Sequence, residues 1–383
     1  MKINKTLGLP KRSRSRLGMV GALLSVGLVM AACSSGSSSS TTTTGGSGSQ
    51  SIGAAQSAVA TLEQRPTQLE TTIPITKAIP TGKTIDWIQC SIADCTILTP
   101  SLQAAAAKLG WKVNVIDGGI TPETIKNAWD IAVRDHPDVV MATGFPKVVF
   151  QSELAQLQAA NIPVIDGFVS DTSGGGITAV IQGNNTATKI GNAMANWVLS
   201  AKGTSANTLL VTSSTFSTLE NVVSGFKSVY SNLCSKCPLG VLDEPATTFG
   251  TTLPGDVVGY LRTHPSVNYV VADEGAIAMG LPQALASAGM SNVAVVGQYP
   301  SATTASYLQD GTYLKSIIMP QEIDSMWQMV DAAARFFTGM SVTPSEAPSP
   351  LWAVTPKTVS QLVSPYYLIP SYQSKYAQVW GVK

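Results

Sequence analysis

Short apolar runs rich in Val, Ile, Thr and Trp alternate along this chain with longer runs whose apolar residues recur at helical spacing, and the alternation comes in two series. Helices between strands rule out hairpins, so the strands of each series pair in parallel through right-handed crossovers. The two series meet at 162–185, IPVIDGFVSDTSGGGITAVIQGNN, which reads as a buried strand, a Gly/Ser/Asp loop, a second buried strand and an Asn-rich exit. The fold class expected is therefore α/β, with two Rossmann-like lobes, each a parallel sheet flanked by helices. A cleft between them, faced by the carboxyl ends of both sheets, suits closure around a small molecule.

In the first series, strands are expected at 84–91, 112–116, 138–143 and 162–166. Thr99 reads as the N-cap of the first helix, with Pro100 in its first turn and Gly110 as its stop. A second helix opens at Thr121-Pro122-Glu123 and carries Ile125, Ala128, Trp129, Ala132 and Val133 on one face, and a third spans 148–160. In the second series, helices are expected at 186–201, at 257–263, and at 276–288 with a kink at Pro282. Ser217-Thr218-Leu219-Glu220 fits a capping box opening another. Strands fall at 207–212, 239–243, 267–272, 293–297 and 313–319, and a helix at 321–337 buries Met326, Trp327 and Val330. Residues 54–83 read as an approach segment in which Ala55, Val59 and Leu62 hint at a helix that Pro66 stops. The Pro-rich 341–383 reads as a surface strap. The only two histidines, His136 and His264, each precede a proline at a helix end, which assigns them to capping and not to catalysis.

Lys2, Lys5, Lys11, Arg12, Arg14 and Arg16 precede Cys33 with no Asp or Glu among them, so the six leave 18 basic against 23 acidic residues beyond it. A net charge of about −5 on the remainder argues against nucleic acid as a partner. The basic start is followed by LGMVGALLSVGLVMAAC, an apolar run of signal-peptide length ending in small residues and a cysteine. That ending resembles the bacterial lipobox, which implies a signal peptide over 1–32, cleavage before Cys33 and a lipid on its sulfur. A membrane-spanning anchor is the alternative, and the run is short for the roughly 20 residues a span needs. Residues 33–53, nearly all Ser, Thr and Gly, are expected to form a flexible tether.

With Cys33 assigned to lipid, Cys90 and Cys95 (C-x4-C) and Cys234 and Cys237 (C-x2-C) remain, an even count that suggests two local disulfides outside the cytoplasm. A redox motif at Cys234 and Cys237 lacks a preceding Trp and follows a helix instead of opening one. Zinc held by all four is disfavoured by the element order, so no metal or cofactor is expected. No G-x-S-x-G, P-loop, G-x-G-x-x-G or H-E-x-x-H occurs, and an enzyme is not expected.

The order of elements, with AVVGQYPSATTASYLQDGTYLKSIIMPQEIDSMWQMVDAAARFFTG and the closing YAQVWGV, resembles the ribose-binding type of periplasmic (type I) solute-binding protein, the receptor of ABC importers. The resemblance spans about 84–339. It implies a first lobe over 84–183 completed by the helix at about 319–340, a second lobe over 184–318, three crossings between them, and hinge closure on a ligand. It further implies a monomer whose partners are a small-molecule solute and a membrane permease. The matching strand-end loops offer Ser91 and Ile92, Phe145, Asp166 and Phe168 in the first lobe. In the second they offer Phe216, Glu220, Phe249, Asp273, Glu274, Gln298 and Tyr299, with Met319 where the family has a Gln. These departures favour a flatter or less polar solute than a hexose or pentose, with Glu220 and Glu274 placed to receive a cation or hydroxyls. The plainer alternatives are a capping box for Glu220, a helix start for Glu274, and core positions for Phe216 and Phe249. The function expected is an extracytoplasmic, lipid-anchored receptor that delivers a solute to a permease. The alternatives are a sensor presenting the solute to a signalling receptor and, less favoured, a hydrolase. A repressor would need a helix-turn-helix where this chain has an export signal.

Overall fold

A computed structural model describes residues 46–383. The export segment, Cys33 and the tether before Gly46 lie outside the described residues. The first helix, α1 (Gly46–Leu62), takes in residues 46–53, so this part of the expected tether is helical instead. Next come β1 (Thr84–Cys90), the single turn α2 (Ala93–Thr96), α3 (Thr99–Lys108), β2 (Lys112–Gly119), α4 (Pro122–Asp135), β3 (Val139–Thr143), α5 (Gln151–Ala159), β4 (Val164–Gly167) and β5 (Ala179–Ile181). Their strands form one parallel sheet in the order β2-β1-β3-β4-β5. Register aligns Trp87, Met141, Ile165 and Ala179 in a row across it, all fully buried. Helices on both faces explain why these strands read as continuous apolar runs.

The second series comprises α6 (Asn184–Lys202), β6 (Thr208–Thr212), α7 (Leu219–Leu233), β7 (Leu239–Asp243), α8 (Leu253–Thr263), β8 (Tyr269–Ala272), α9 (Leu281–Ser287), β9 (Ala294–Gln298), α10 (Ala302–Asp310) and β10 (Leu314–Met319). After it come α11 (Ser325–Phe337), β11 (Trp352–Val354) and α12 (Tyr372–Trp380). The second sheet runs β11-β10-β9-β8-β6-β7, parallel except for β11, which lies antiparallel to β10. α6 and α7 touch backbone to backbone: a Cβ on Gly191 would strike the Val222 carbonyl, and one on Gly225 the Thr188 carbonyl.

The chain passes between the lobes after β5 and after β10, and again when α11, which packs on α3, β4 and β5, leads back to β11. Two further passages come from the ends. α1 packs on α6 in the second lobe before the chain enters β1, and α12 packs on α11 after β11. The 341–383 segment is thus more than a surface strap, since it supplies a strand to one lobe and a buried helix to the other. Trp380 stacks on Trp327 at 5.2 Å and donates Nε1 to Asp331 Oδ1 at 2.9 Å. Arg65 ties the two ends together, donating to the carbonyls of Gln361, Tyr367 and Leu368 at 2.8–3.0 Å.

Local expectations change at four places. Thr99 does not cap α3; Leu98 flanks it, and Thr99 Oγ1 accepts from Trp87 Nε1 at 2.8 Å while donating to Gln89. No capping box forms at Ser217, whose Oγ accepts instead from the Ser170 amide at 3.4 Å. Pro282 does not kink a helix: the chain breaks at Gly280 (φ +76°), and the proline sits in the first turn of α9, where its missing N–H has no partner to lose. α10 is a helix not foreseen, opened by a capping box between Ser301 and Thr304. Both histidines do end helices, His136 in the left-handed region after α4 and His264 after α8, stacked on Tyr260 at 4.0 Å. Among the described residues no helix is long and apolar enough to cross a membrane.

Candidate ligand-binding site

The carboxyl ends of both sheets meet around a cavity of about 80 Å³, against the roughly 10–15 Å³ that one water requires. Ile92, Asp94, Leu98, Thr143 and Phe168 reach it from the first lobe, and Ile190, Phe216, Glu274, Gln298 and Tyr299 from the second. Gln182 and Glu322 come from the passages after β5 and β10, so a change in the angle between lobes alters the cavity itself. Aromatic pairs bridge the gap, Phe168 to Tyr299 with ring centres 6.4 Å apart and Phe145 to Phe216 at 6.1 Å. The two lobes thus approach one another at the cleft in this structure.

Three cavity residues hold left-handed backbone: Phe168 (φ 55°), Gln182 (φ 56°) and Tyr299 (φ 49°). Each is the first residue after a strand, β4, β5 and β9 respectively. Such conformations cost non-glycine residues about 1–3 kcal/mol and persist where the surroundings over-determine them. Half of the six left-handed non-glycine residues among those described thus sit where strand ends meet the cleft, the others being His136, Asn161 and Ser371.

Asp94 lies in α2 between Cys90 and Cys95, whose Cα atoms are 5.5 Å apart, and Cys95 itself lines the cavity. The Cα atoms of Cys234 and Cys237 are 5.4 Å apart at the end of α7; both separations suit a disulfide. Across the cleft from Asp94, Glu274 Oε2 accepts from the Ala276 amide at 2.7 Å, so it starts the next helical turn and lines the cavity together. Burial, then Asp94 beside it, pushes the Glu274 carboxyl well above the usual range. Glu322 is raised in the same direction by burial, then by Asp94 and Asp324. Tyr299 is raised by burial, then by Glu322.

Of the residues the sequence proposed, Ile92, Phe168, Phe216, Glu274, Gln298 and Tyr299 line the cavity. Phe145 stands behind Phe216 as its ring partner. The remaining six fall elsewhere. Ser91 is exposed and donates to Asp117 at 2.5 Å, and Glu220 is exposed on α7. Phe249 packs half-buried on the core, and Met319 is fully buried at the end of β10. Asp166 and Asp273 are buried beneath the strand ends, both raised well above the usual range chiefly by burial, and neither lines the cavity. Asp94, Thr143, Gln182 and Glu322 were not foreseen.

A family model described as periplasmic binding protein domain matches residues 80–340. No curated protein matches the chain. Among solved structures, a glucose-galactose binding protein from Geobacillus stearothermophilus superposes with a TM-score of 0.65 at 16% identity, covering 73% of this chain and 99% of that one. An ABC transporter solute binding protein from Agrobacterium vitis with bound allitol gives 0.65 at 18% identity, covering 73% and 98%. A putative LacI transcriptional regulator from Bacteroides fragilis gives 0.60 at 13% identity, covering 74% and 100%. Identities this low establish a shared fold, and the same fold serves proteins with different outputs.

Proposed function

The chain belongs to the periplasmic binding protein domain family, and on that premise we propose that it captures a small organic solute between its lobes and delivers it to the permease of an ABC importer. Family membership carries the fold and a binding role without covalent chemistry. The observation that supports capture is a cavity walled by both lobes and by two of the passages joining them. A ligand held there favours the closed state by as much as it binds that state more tightly than the open one, and closure changes the surface a permease meets.

Export ahead of Cys33 and a lipid on that residue fit the sequence and would hold the receptor outside the cytoplasm as a monomer. There, oxidised pairs Cys90–Cys95 and Cys234–Cys237 would be maintained, the first keeping Asp94 against the cavity. The first lobe is read as 84–183 with α11 and the second as 184–318, each extended by a terminal passage. No feature of the cavity favours the signalling alternative.

A thermal-shift screen of the purified chain against sugars, polyols, aromatics and amines tests capture. A solute at a hundred times its Kd is expected to add about 2.7 kcal/mol to stability and to be recovered unchanged. Conversion of a bound compound into product, or no shift with any class, contradicts the reading.

A further inference from the structure

The polar atoms of the cavity are unbalanced in one direction. Asp94 Oδ2, Glu322 Oε2, Gln298 Oε1, Gln182 Oε1 and Thr143 Oγ1 are all buried without a hydrogen-bond partner, and all five residues line the cavity. The two glutamine oxygens only accept, and the two carboxyl oxygens do so when ionised. Among the described residues no Lys, Arg or His lines it.

The orientation of Gln182 is fixed from outside the cavity. Gln328 Nε2 donates to the carbonyls of Ser345 at 2.7 Å and Ala347 at 3.2 Å, which leaves Gln328 Oε1 to accept. Gln182 Nε2 donates to that oxygen at 3.1 Å. Its own oxygen is therefore the atom left over.

Three carboxyls, Asp94, Glu274 and Glu322, share this space, and any of them that ionises there needs a counter-charge. Among the described residues no three Asp, Glu, Cys or His side chains converge closely enough to hold a metal ion. Carboxyls spread in this way suit an organic cation that offers several N–H donors in different directions. The rest of the wall is apolar, chiefly Leu98, Phe168, Ile190 and Phe216. A polyol fits this wall poorly, because each hydroxyl brings acceptor lone pairs to a place with few donors.

We propose, resting on the reading of this cavity as the solute site, that the solute is a small organic amine, its protonated nitrogen held by Asp94, Glu274 and Glu322 and its apolar body lying against Phe168 and Phe216. An ammonium beside these carboxyls favours their ionised form, which strengthens each contact. A quaternary ammonium satisfies the charge and leaves the orphaned oxygens unpaired, so primary amines outrank it.

The test is calorimetric titration at pH 7.5 with benzylamine, 2-phenylethylamine, n-butylamine and cyclohexylmethylamine. Each is compared with its alcohol and its trimethylammonium analogue, with allitol, ribose and glucose as the polyol arm. At least one primary amine is expected to bind ten or more times tighter than its alcohol and its trimethylammonium form. Glu322→Gln and Asp94→Asn are each expected to weaken that amine at least tenfold, while the empty Glu322→Gln protein melts no lower than the parent. Binding of a polyol in preference to every amine overturns the amine and leaves solute capture standing. An amine that binds the variants as well as the parent, or a Glu322→Gln protein that loses stability and affinity together, overturns the role of the carboxyls. Absence of binding by every compound overturns the amine, and capture falls with it only if the wider thermal-shift screen is silent too.

Discussion

Gly275 marks how closely the lobes approach. A Cβ there would lie 2.9 Å from Asp94 Oδ2, 3.1 Å from the Gln298 carbonyl oxygen and 3.2 Å from Tyr299 Cβ. Overpacking of this kind typically costs about 1–3 kcal/mol, and the contact with Asp94 exists only when the lobes are shut. Gly275→Ala is therefore expected to weaken ligand binding by about 5- to 150-fold, read by calorimetry, with the larger part of the loss in closure. Buried carboxyls set the pH response. Burial raises Asp324 from 3.8 to about 6 and Glu70, half-buried behind Tyr376, from 4.5 to about 7. The folded chain holds these protons more tightly than the unfolded chain, so their stabilisation is complete below pH 4 and is lost as pH rises through 6 and 7, about 3 kcal/mol each at most. Burial alone would raise Asp138 and Glu153 too, but Lys83 with the Thr84 amide, and Lys126 with Ser152 and the Glu153 backbone, together lower them. The empty protein is expected to melt several degrees higher at pH 5 than at pH 8; a flat or rising profile toward pH 8 contradicts these shifts. Tyr299 directly follows an apolar strand run and Glu274 follows one after a single residue, which made both legible. Asp273 was not separable from Glu274, since neighbouring strand-end residues face opposite ways and only one enters the cavity. Asp94 was hidden between two cysteines, whose pairing drew the chemistry of the loop to sulfur.

At the scale of elements, α11 is the beam on which both chain ends rest. Asp331 Oδ2 accepts from Arg335 Nε at 2.7 Å and from Ser345 Oγ at 2.6 Å, while Oδ1 accepts from Trp380 Nε1. Asp331 and Arg335 are both essentially unexposed, and Arg335 continues to the Ile73 carbonyl at 2.5 Å. Removing one partner of a buried pair strands the other, at about 3–5 kcal/mol. Asp331→Ala is expected to lower stability by that amount in denaturant unfolding and to expose α12 to protease; a loss below about 1 kcal/mol means α12 is held by ring packing alone. Periodicity revealed α11 because its apolar residues recur at helical spacing. α10 escaped because it buries only Thr304 and Leu308, too little for a stripe, and its one local signal was the Ser301 to Thr304 cap. α12 places Tyr372, Tyr376, Val379 and Trp380 on one buried face, a pattern masked by the prolines before it.

For the whole molecule, two sheets face one another across a cavity that neither lobe completes, walled by strand ends, by the passages between lobes and by α6 and α7. The division into two α/β series was readable because helix and strand periods differ and each series repeats the alternation. The number of passages was not, because α1 and α12 reach across lobes by tertiary packing that local pattern does not encode. Closure on solute is measured most directly as a distance across the cleft. Spin labels on Val148→Cys, in the turn after β3, and Thr247→Cys, in the turn after β7, occupy exposed sites on the two lobes. Pulsed dipolar spectroscopy is expected to show a broad distribution in the empty protein that narrows and shortens at saturating ligand; one distribution, unchanged by bound ligand, contradicts closure.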